Sequence, residues 1–247
     1  MIYKEKYNLW KSYKFRRNYC TFSKRPFYDI AAKYLPSDEN GIIVDIGAGE
    51  GKFADYLALA EKYNNVFLLD GNNTTVEKLK KKFENAVLYK APGSLPFEDL
   101  TVSYVHCSHL IEHLMPQELY ELLREIDRVL SKDGVLVISA PMLWGDFYSN
   151  LTHIKPYNPG VFLKYLCGII EDPSAGVISD SYSVLELVYR YAKTDLDEGW
   201  GSRFFVIDFI IQLTKLLLSI LRIKRYTKNG YTMVLKKGWL FDSDKFY

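Results

Sequence analysis

The chain has 247 residues, 48% of them hydrophobic and 25% charged, which suits one α/β domain with extras and a sizeable core. Its net charge of +2 is too balanced to call for a polyanionic partner. Three scattered cysteines, Cys20, Cys107 and Cys167, make neither a disulfide framework nor a metal spacing, so a reducing, cytoplasmic setting is expected.

Residues 1–27 read as a basic, aromatic arm. Eight basic side chains stand against one acid, Glu5, with Tyr3, Tyr7, Trp10, Tyr13, Phe15, Tyr19 and Phe22 interleaved. The charge from Lys4 onward leaves no apolar stretch for a secretory leader. Two readings stand together: a segment folded over a ligand mouth or touching an anionic partner, and a solvated arm. Residues 28–247 read as the domain itself. Phe27 to Leu35 is its first helix, stopped by Pro36.

Ile42 to Ile46 is β-branched and apolar apart from Asp45, as in a buried parallel strand. Gly47-Ala48-Gly49-Glu50-Gly51 follows, a tight turn into a helix where backbone meets a ligand without a Cβ in the way. A second run, Val66 to Leu69, ends in Asp70-Gly71, which places an acid at the strand tip to hold a ribose. The third glycine comes one residue early for the dinucleotide fingerprint G-x-G-x-x-G. Asp45 would also repel a pyrophosphate, whereas the ammonium and sulfonium of S-adenosylmethionine tolerate a carboxylate. An ordinary glycine-rich turn of another doubly wound protein is the plain alternative. At these residues the chain resembles the class I S-adenosylmethionine-dependent methyltransferases, whose first motif is an acid followed by G-x-G-x-G.

Leu95-Pro96-Phe97-Glu98-Asp99, a strand over Val102 to Val105, and Cys107-Ser108-His109-Leu110-Ile111-Glu112-His113-Leu114 extend that likeness. They resemble the L-P-F, strand, L-E-H-L series of the ubiquinone-type and sugar-modifying methyltransferases. The resemblance covers about residues 28 to 160 and a final strand. It departs at Ala91, where the family often has an acid near the adenine, and at Val102-Ser103, where it often has Phe-Asp. It implies a Rossmann-like, seven-stranded, mostly parallel sheet with helices on both faces. It further implies a cofactor over Asp45, Gly47, Ala48, Gly49, Gly51, Asp70 and Gly71, with Ser108 and His109 at its methionine end. The small-RNA 2′-O-methyltransferases place a Glu/Glu/His/His metal site around a similar E-H-L. Here His109 stands where that pattern has a glutamate, so no metal is expected, and Glu112 and His113 read as structural.

Pro116 to Leu130 carries apolar residues at helical spacing, and Ser131-Lys132-Asp133-Gly134 is expected to end it with Gly134 as the left-handed cap. Val135 to Ser139 reads as the fifth strand. The loop after it faces the ligand crevice of an α/β sheet, and Trp144, Phe147 and Tyr157 are candidates for an acceptor pocket. Thr152-His153-Ile154-Lys155-Pro156-Tyr157 resembles the T-H-x-x-P-Y/F loop of these enzymes. His153 is a candidate general base there, with a loop-anchoring role as the alternative; His109 is the second catalytic candidate. A helix over Val161 to Leu166 and strands over Tyr182 to Tyr191 and Tyr231 to Lys236 complete the pattern.

A helical insertion, residues 192–228, precedes the last strand. Phe204 to Ile223 is almost wholly apolar, with Asp208, Gln212, Lys215, Ser219 and Arg222 in one narrow helical stripe. A periodic charged stripe disfavours a membrane span. The apolar arc suits a membrane interface, another subunit of a homodimer, or the domain's own core. The expected function is O-methylation of a small-molecule or glycan acceptor, lipid-linked if the helix binds membrane from the cytoplasmic side. RNA or protein methylation through the basic arm, and an S-adenosylmethionine-binding accessory role without turnover, remain the alternatives.

Overall fold

The computed structural model describes residues 17–169, 176–194, 201–221 and 223–238. The strands are β1 (Ile42–Ile46), β2 (Val66–Asp70), β3 (Asn85–Leu88), β4 (Val102–Ser108), β5 (Leu130–Pro141), β6 (Tyr182–Thr194) and β7 (Arg225–Lys237). They form one seven-stranded sheet in the order β3-β2-β1-β4-β5-β7-β6. β3 through β5 pair in parallel, and β7 runs antiparallel to both β5 and β6. The winding reverses between β1 and β4, which opens a crevice at the carboxyl ends of those strands.

Alternation along the strands gives the sheet two buried faces. Ile43 and Tyr104 point into one core with α1 (Arg25–Ala32), α2 (Lys52–Leu57), α3 (Leu59–Lys62) and α4 (Asn73–Leu79). Val44, Ile46, Val105 and Cys107 point into the other, with α5 (Pro116–Val129) and α6 (Gly160–Tyr165). Burial on both faces explains why the strands read as continuous apolar runs. α5 starts at Pro116, and the Glu118 carboxylate accepts from the Met115 amide at 2.7 Å, one half of a capping box. Near its other end Arg128 donates to the Leu95 and Phe97 carbonyls and to Asp99, clamping the Leu95–Asp99 loop to the helix.

Several expectations shift. The first helix starts earlier, at Arg25, because Pro26 is pre-set for a first helical turn. The left-handed residue after α5 is Asp133, not Gly134. Gly134 is required for another reason: a Cβ there would lie 2.8 Å from both Leu130 and the Ser131 carbonyl. β3 had no strand signal in its four residues. β6 and β7 are longer than their apolar cores, pairing out to Thr194 and Arg225. The insertion is therefore residues 195–224, and Arg225 and Lys228 lie on a strand. α7 (Phe205–Ile220) fills most of the helix expected over 204–223. None of its residues is buried, so it does not pack into the domain's core. Arg222, residues 1–16 of the arm and residues 195–200 lie outside the described residues.

Candidate active site

The turn after β1 is tied to β2 by the Gly47 and Ala48 amides, which donate to the Leu69 carbonyl at 2.8 and 3.0 Å. Gly49 and Gly51 both have positive φ, at 56° and 75°. A Cβ on Gly51 would strike Phe83 and Leu79 at 2.9 and 3.0 Å, whereas one on Gly49 would meet nothing within 4 Å. Gly51 thus lets helix and sheet pack, and Gly49 keeps an open cradle. The Gly49 amide donates to Asp70 Oδ2 at 2.9 Å, and the Asn72 amide to Oδ1 at 2.9 Å. Each oxygen keeps a second lone pair, so Asp70 is held in place to accept from two neighbouring hydroxyls. Gly71, next in the chain, is exposed.

Asp45 is 2% exposed and stands 2.7 Å from His106 Nδ1 across β1 and β4. His106 stacks on Phe53 at 3.7 Å between ring centroids. Sequence reasoning missed His106, because only the β1–β4 register, which sets Asp45 opposite it, makes the two a pair.

Ser108 ends β4, opposite Ser139 of β5. His109 follows with a left-handed φ of 56°, and its amide donates to the Ser139 carbonyl at 2.8 Å. Such a conformation in a non-glycine residue is costly and marks a position the surroundings enforce. Ser108, His109, Ser139, Tyr28, Lys24 and Arg190 line the crevice. Burial lowers the pKa of Lys24 and of Arg190 from their ordinary values. Arg190 is aimed by Asn229, whose Oδ1 accepts from Nε at 3.1 Å. Both cations escaped the sequence reading: Lys24 was one charge among eight, and Arg190 sat in an apolar strand. His109 Nδ1 lies 3.2 Å from Glu112 Oε1; burial pulls its pKa down, and Glu112 opposes that.

The acceptor pocket expected of Trp144, Phe147 and Tyr157 does not form. Trp144 is half-buried, while Phe147 and Tyr157 are in the interior. The Tyr157 hydroxyl donates to the Leu114 carbonyl at 2.9 Å, and its own carbonyl accepts from Tyr231. These aromatics gain more from burial than from lining a groove. His153 Nδ1 lies 2.7 Å from the Phe147 carbonyl, so the histidine anchors its loop and leaves Nε2 free. Its ring lies 5.1 Å from that of His113.

Residues 44–138 match the model of the methyltransferase domain family. Over those residues the chain resembles a methyltransferase domain. The domain resembles an uncharacterized chloroplastic methyltransferase of Arabidopsis thaliana, 29% identical over 120 residues, 44% of this chain and 34% of that protein. A methyltransferase-like protein of Schizosaccharomyces pombe is 33% identical over 100 residues, 40% of this chain and 38% of that one. The carboxy-S-adenosyl-L-methionine synthase of Campylobacter jejuni is 24% identical over 143 residues, 53% of this chain and 60% of the synthase. The chain thus spans only about a third of the length of the first two curated relatives. In solved structures the methyltransferase fold extends further. An S-adenosylmethionine-dependent methyltransferase from Archaeoglobus fulgidus is 20% identical with a TM-score of 0.55, over 87% of this chain and 95% of that one. The YcgJ protein from Bacillus subtilis is 15% identical with a TM-score of 0.57, over 88% of this chain and 100% of that one. At those identities the likeness is one of fold.

Proposed function

We propose that this protein is an S-adenosylmethionine-dependent methyltransferase acting on a hydroxyl of a small or glycan acceptor that is anionic and lipid-linked. The observation that carries the reading is the Gly49–Asp70 cradle set against the Ser108–His109 crevice, within a methyltransferase domain. The residues fit the donor: a cradle free of Cβ, a carboxylate with two lone pairs for ribose hydroxyls, and a cation for its methionine carboxylate. When bound, the donor supplies an electrophilic methyl group. The chain's own work is to hold donor and acceptor in line and exclude water. Lys24, leading into α1, takes the donor's carboxylate, and Arg190, on β6, takes the acceptor's anionic group. His153 serves the acceptor side, not the donor, while His109 stands at the donor's methionine end and faces the acceptor as the second catalytic group.

The lipid link rests on α7. Phe205, Phe209, Ile210, Leu213, Leu216, Leu217 and Ile220 are all more than half exposed. No described helix is long and apolar enough to cross a membrane, so α7 would lie in the interface. Lys224 and Arg225 add attraction to anionic headgroups, about 1 kcal/mol for each well-placed charge. RNA or protein methylation has its support in the arm's basic residues, most of which lie outside the described region.

The test is transfer from a methyl-labelled donor to a phosphorylated lipid-linked glycan in anionic vesicles, with the free glycan, RNA and protein alongside. Label should enter the lipid fraction, and Leu217→Asp with Leu221→Asp should abolish that while donor binding persists. Label in RNA or protein, or unimpaired transfer by the double variant, would contradict the reading.

A further inference from the structure

Glu112 is 1% exposed; its Oε1 faces His109 Nδ1 at 3.2 Å, and its Oε2 has no hydrogen-bond partner among the described residues. A buried carboxylate with one oxygen unpartnered is costly unless something positive balances it. Its backbone is fixed: the Glu112 carbonyl accepts from the Ile154 amide at 2.8 Å, joining the Ile111–His113 turn to the loop that carries His153. That junction brings Glu112, His113 and His153 together, with one ligand atom from each within 4.8 Å of the others.

The two histidines are held in the form that binds metal. His113 Nδ1 lies 2.9 Å from the Thr152 carbonyl and His153 Nδ1 lies 2.7 Å from the Phe147 carbonyl. A carbonyl only accepts, so each Nδ1 carries the hydrogen and each Nε2 keeps its lone pair. Backbone carbonyls that orient ligating imidazoles in this way are a recurrent feature of metal sites. Both rings are only partly buried while the carboxylate is fully so, so one side stays open to water or a ligand.

We propose that Glu112, His113 and His153 form a binding site for a divalent first-row transition metal ion. Two imidazoles and one carboxylate suit zinc, cobalt, iron(II) or manganese better than magnesium or calcium, which favour oxygen ligands. Bonds of about 2.0–2.2 Å need ligand atoms no more than about 4.3 Å apart, so a group whose atoms all lie within 4.8 Å of one another needs at most a small adjustment on binding. Three protein ligands leave positions open, as in sites that bind a substrate oxygen. Sequence reading excluded a metal here because His109 replaces a glutamate. The structure offers Glu112, His113 and His153 without needing that position. A role for the ion in holding the acceptor hydroxyl rests on the methyl-transfer reading; the binding site itself does not.

The test is titration of untagged, chelator-treated protein with Co²⁺, read by visible absorption and calorimetry, with no donor or acceptor present. Wild type should take up one equivalent and unfold at a higher temperature with the ion than without it. Glu112→Gln and the pair His113→Ala/His153→Ala should each weaken binding roughly 100-fold or more. Circular dichroism checks that the variants fold, and Glu112→Gln, which removes a buried charge, keeps the test decisive if the pair does not. Absence of binding by wild type at millimolar Co²⁺, or equal binding by Glu112→Gln, would overturn the site. Neither result bears on donor binding, which is measured separately.

Discussion

The Gly49 amide donates to the Asp70 carboxylate at 2.9 Å, joining the turn after β1 to the tip of β2. The bond fixes the acid before any ligand arrives, so little ordering remains to be done on binding. It also explains why the two glycines nearest it answer to different demands.

Gly49→Ala should leave the fold nearly intact and damage donor binding. The added methyl meets open space in the free protein but fills the cradle, and the positive φ costs about 1 kcal/mol. Gly51→Ala should lower stability by more, because the methyl meets Phe83 and Leu79 as well. Urea unfolding and donor titration on both variants separate the two effects. Equal damage to stability at both positions would contradict the assignment.

The Asp45–His106 pair should behave as a buried unit. His106→Leu strands a carboxylate that is 2% exposed, at a cost of about 3–5 kcal/mol. Asp45→Leu with His106→Leu should recover part of that loss. A double-mutant cycle by chemical denaturation reads the coupling. Simple addition of the two single losses would show that the pair does not act together.

The sequence made most of the architecture legible. Apolar runs at Ile42–Ile46 and Val66–Leu69, the glycine turn and Asp70 lie where their chemistry requires, because local geometry alone demands those residue types. Contacts across register were hidden. Asp45 with His106, and Glu112 with His153, join residues far apart in the chain, and no periodicity announces such pairs. Phe147 and Tyr157 misled because an aromatic in a loop reads the same whether it lines a pocket or fills the interior.

The clamp on the Leu95–Asp99 loop should show in the pH dependence of stability. Glu125 Oε2 accepts from Arg128 at 2.8 Å and from the Leu95 amide at 2.9 Å. The Arg128 hydrogen bond, foremost, holds its pKa below the ordinary carboxylate value. A lowered folded pKa gives stability that is present above the unfolded value, near about 4.3, and lost as pH falls through the folded one. Glu125→Gln should therefore cost about 1–2 kcal/mol at pH 7, and the gap should close in acid. Thermal unfolding from pH 7 to pH 3 measures it, and a gap that persists at the acid end would contradict the ion-pair account.

Calorimetric titration with S-adenosylmethionine, and separately with NAD, tests the central claim most directly. Wild type should bind the methyl donor and not the dinucleotide. Asp70→Ala should weaken donor binding by about 1.5–3 kcal/mol, since it removes the carboxylate that would accept from the two ribose hydroxyls and that the Gly49 and Asn72 amides hold in place. Binding of NAD in place of the methyl donor, or donor affinity unchanged in Asp70→Ala, would contradict the account.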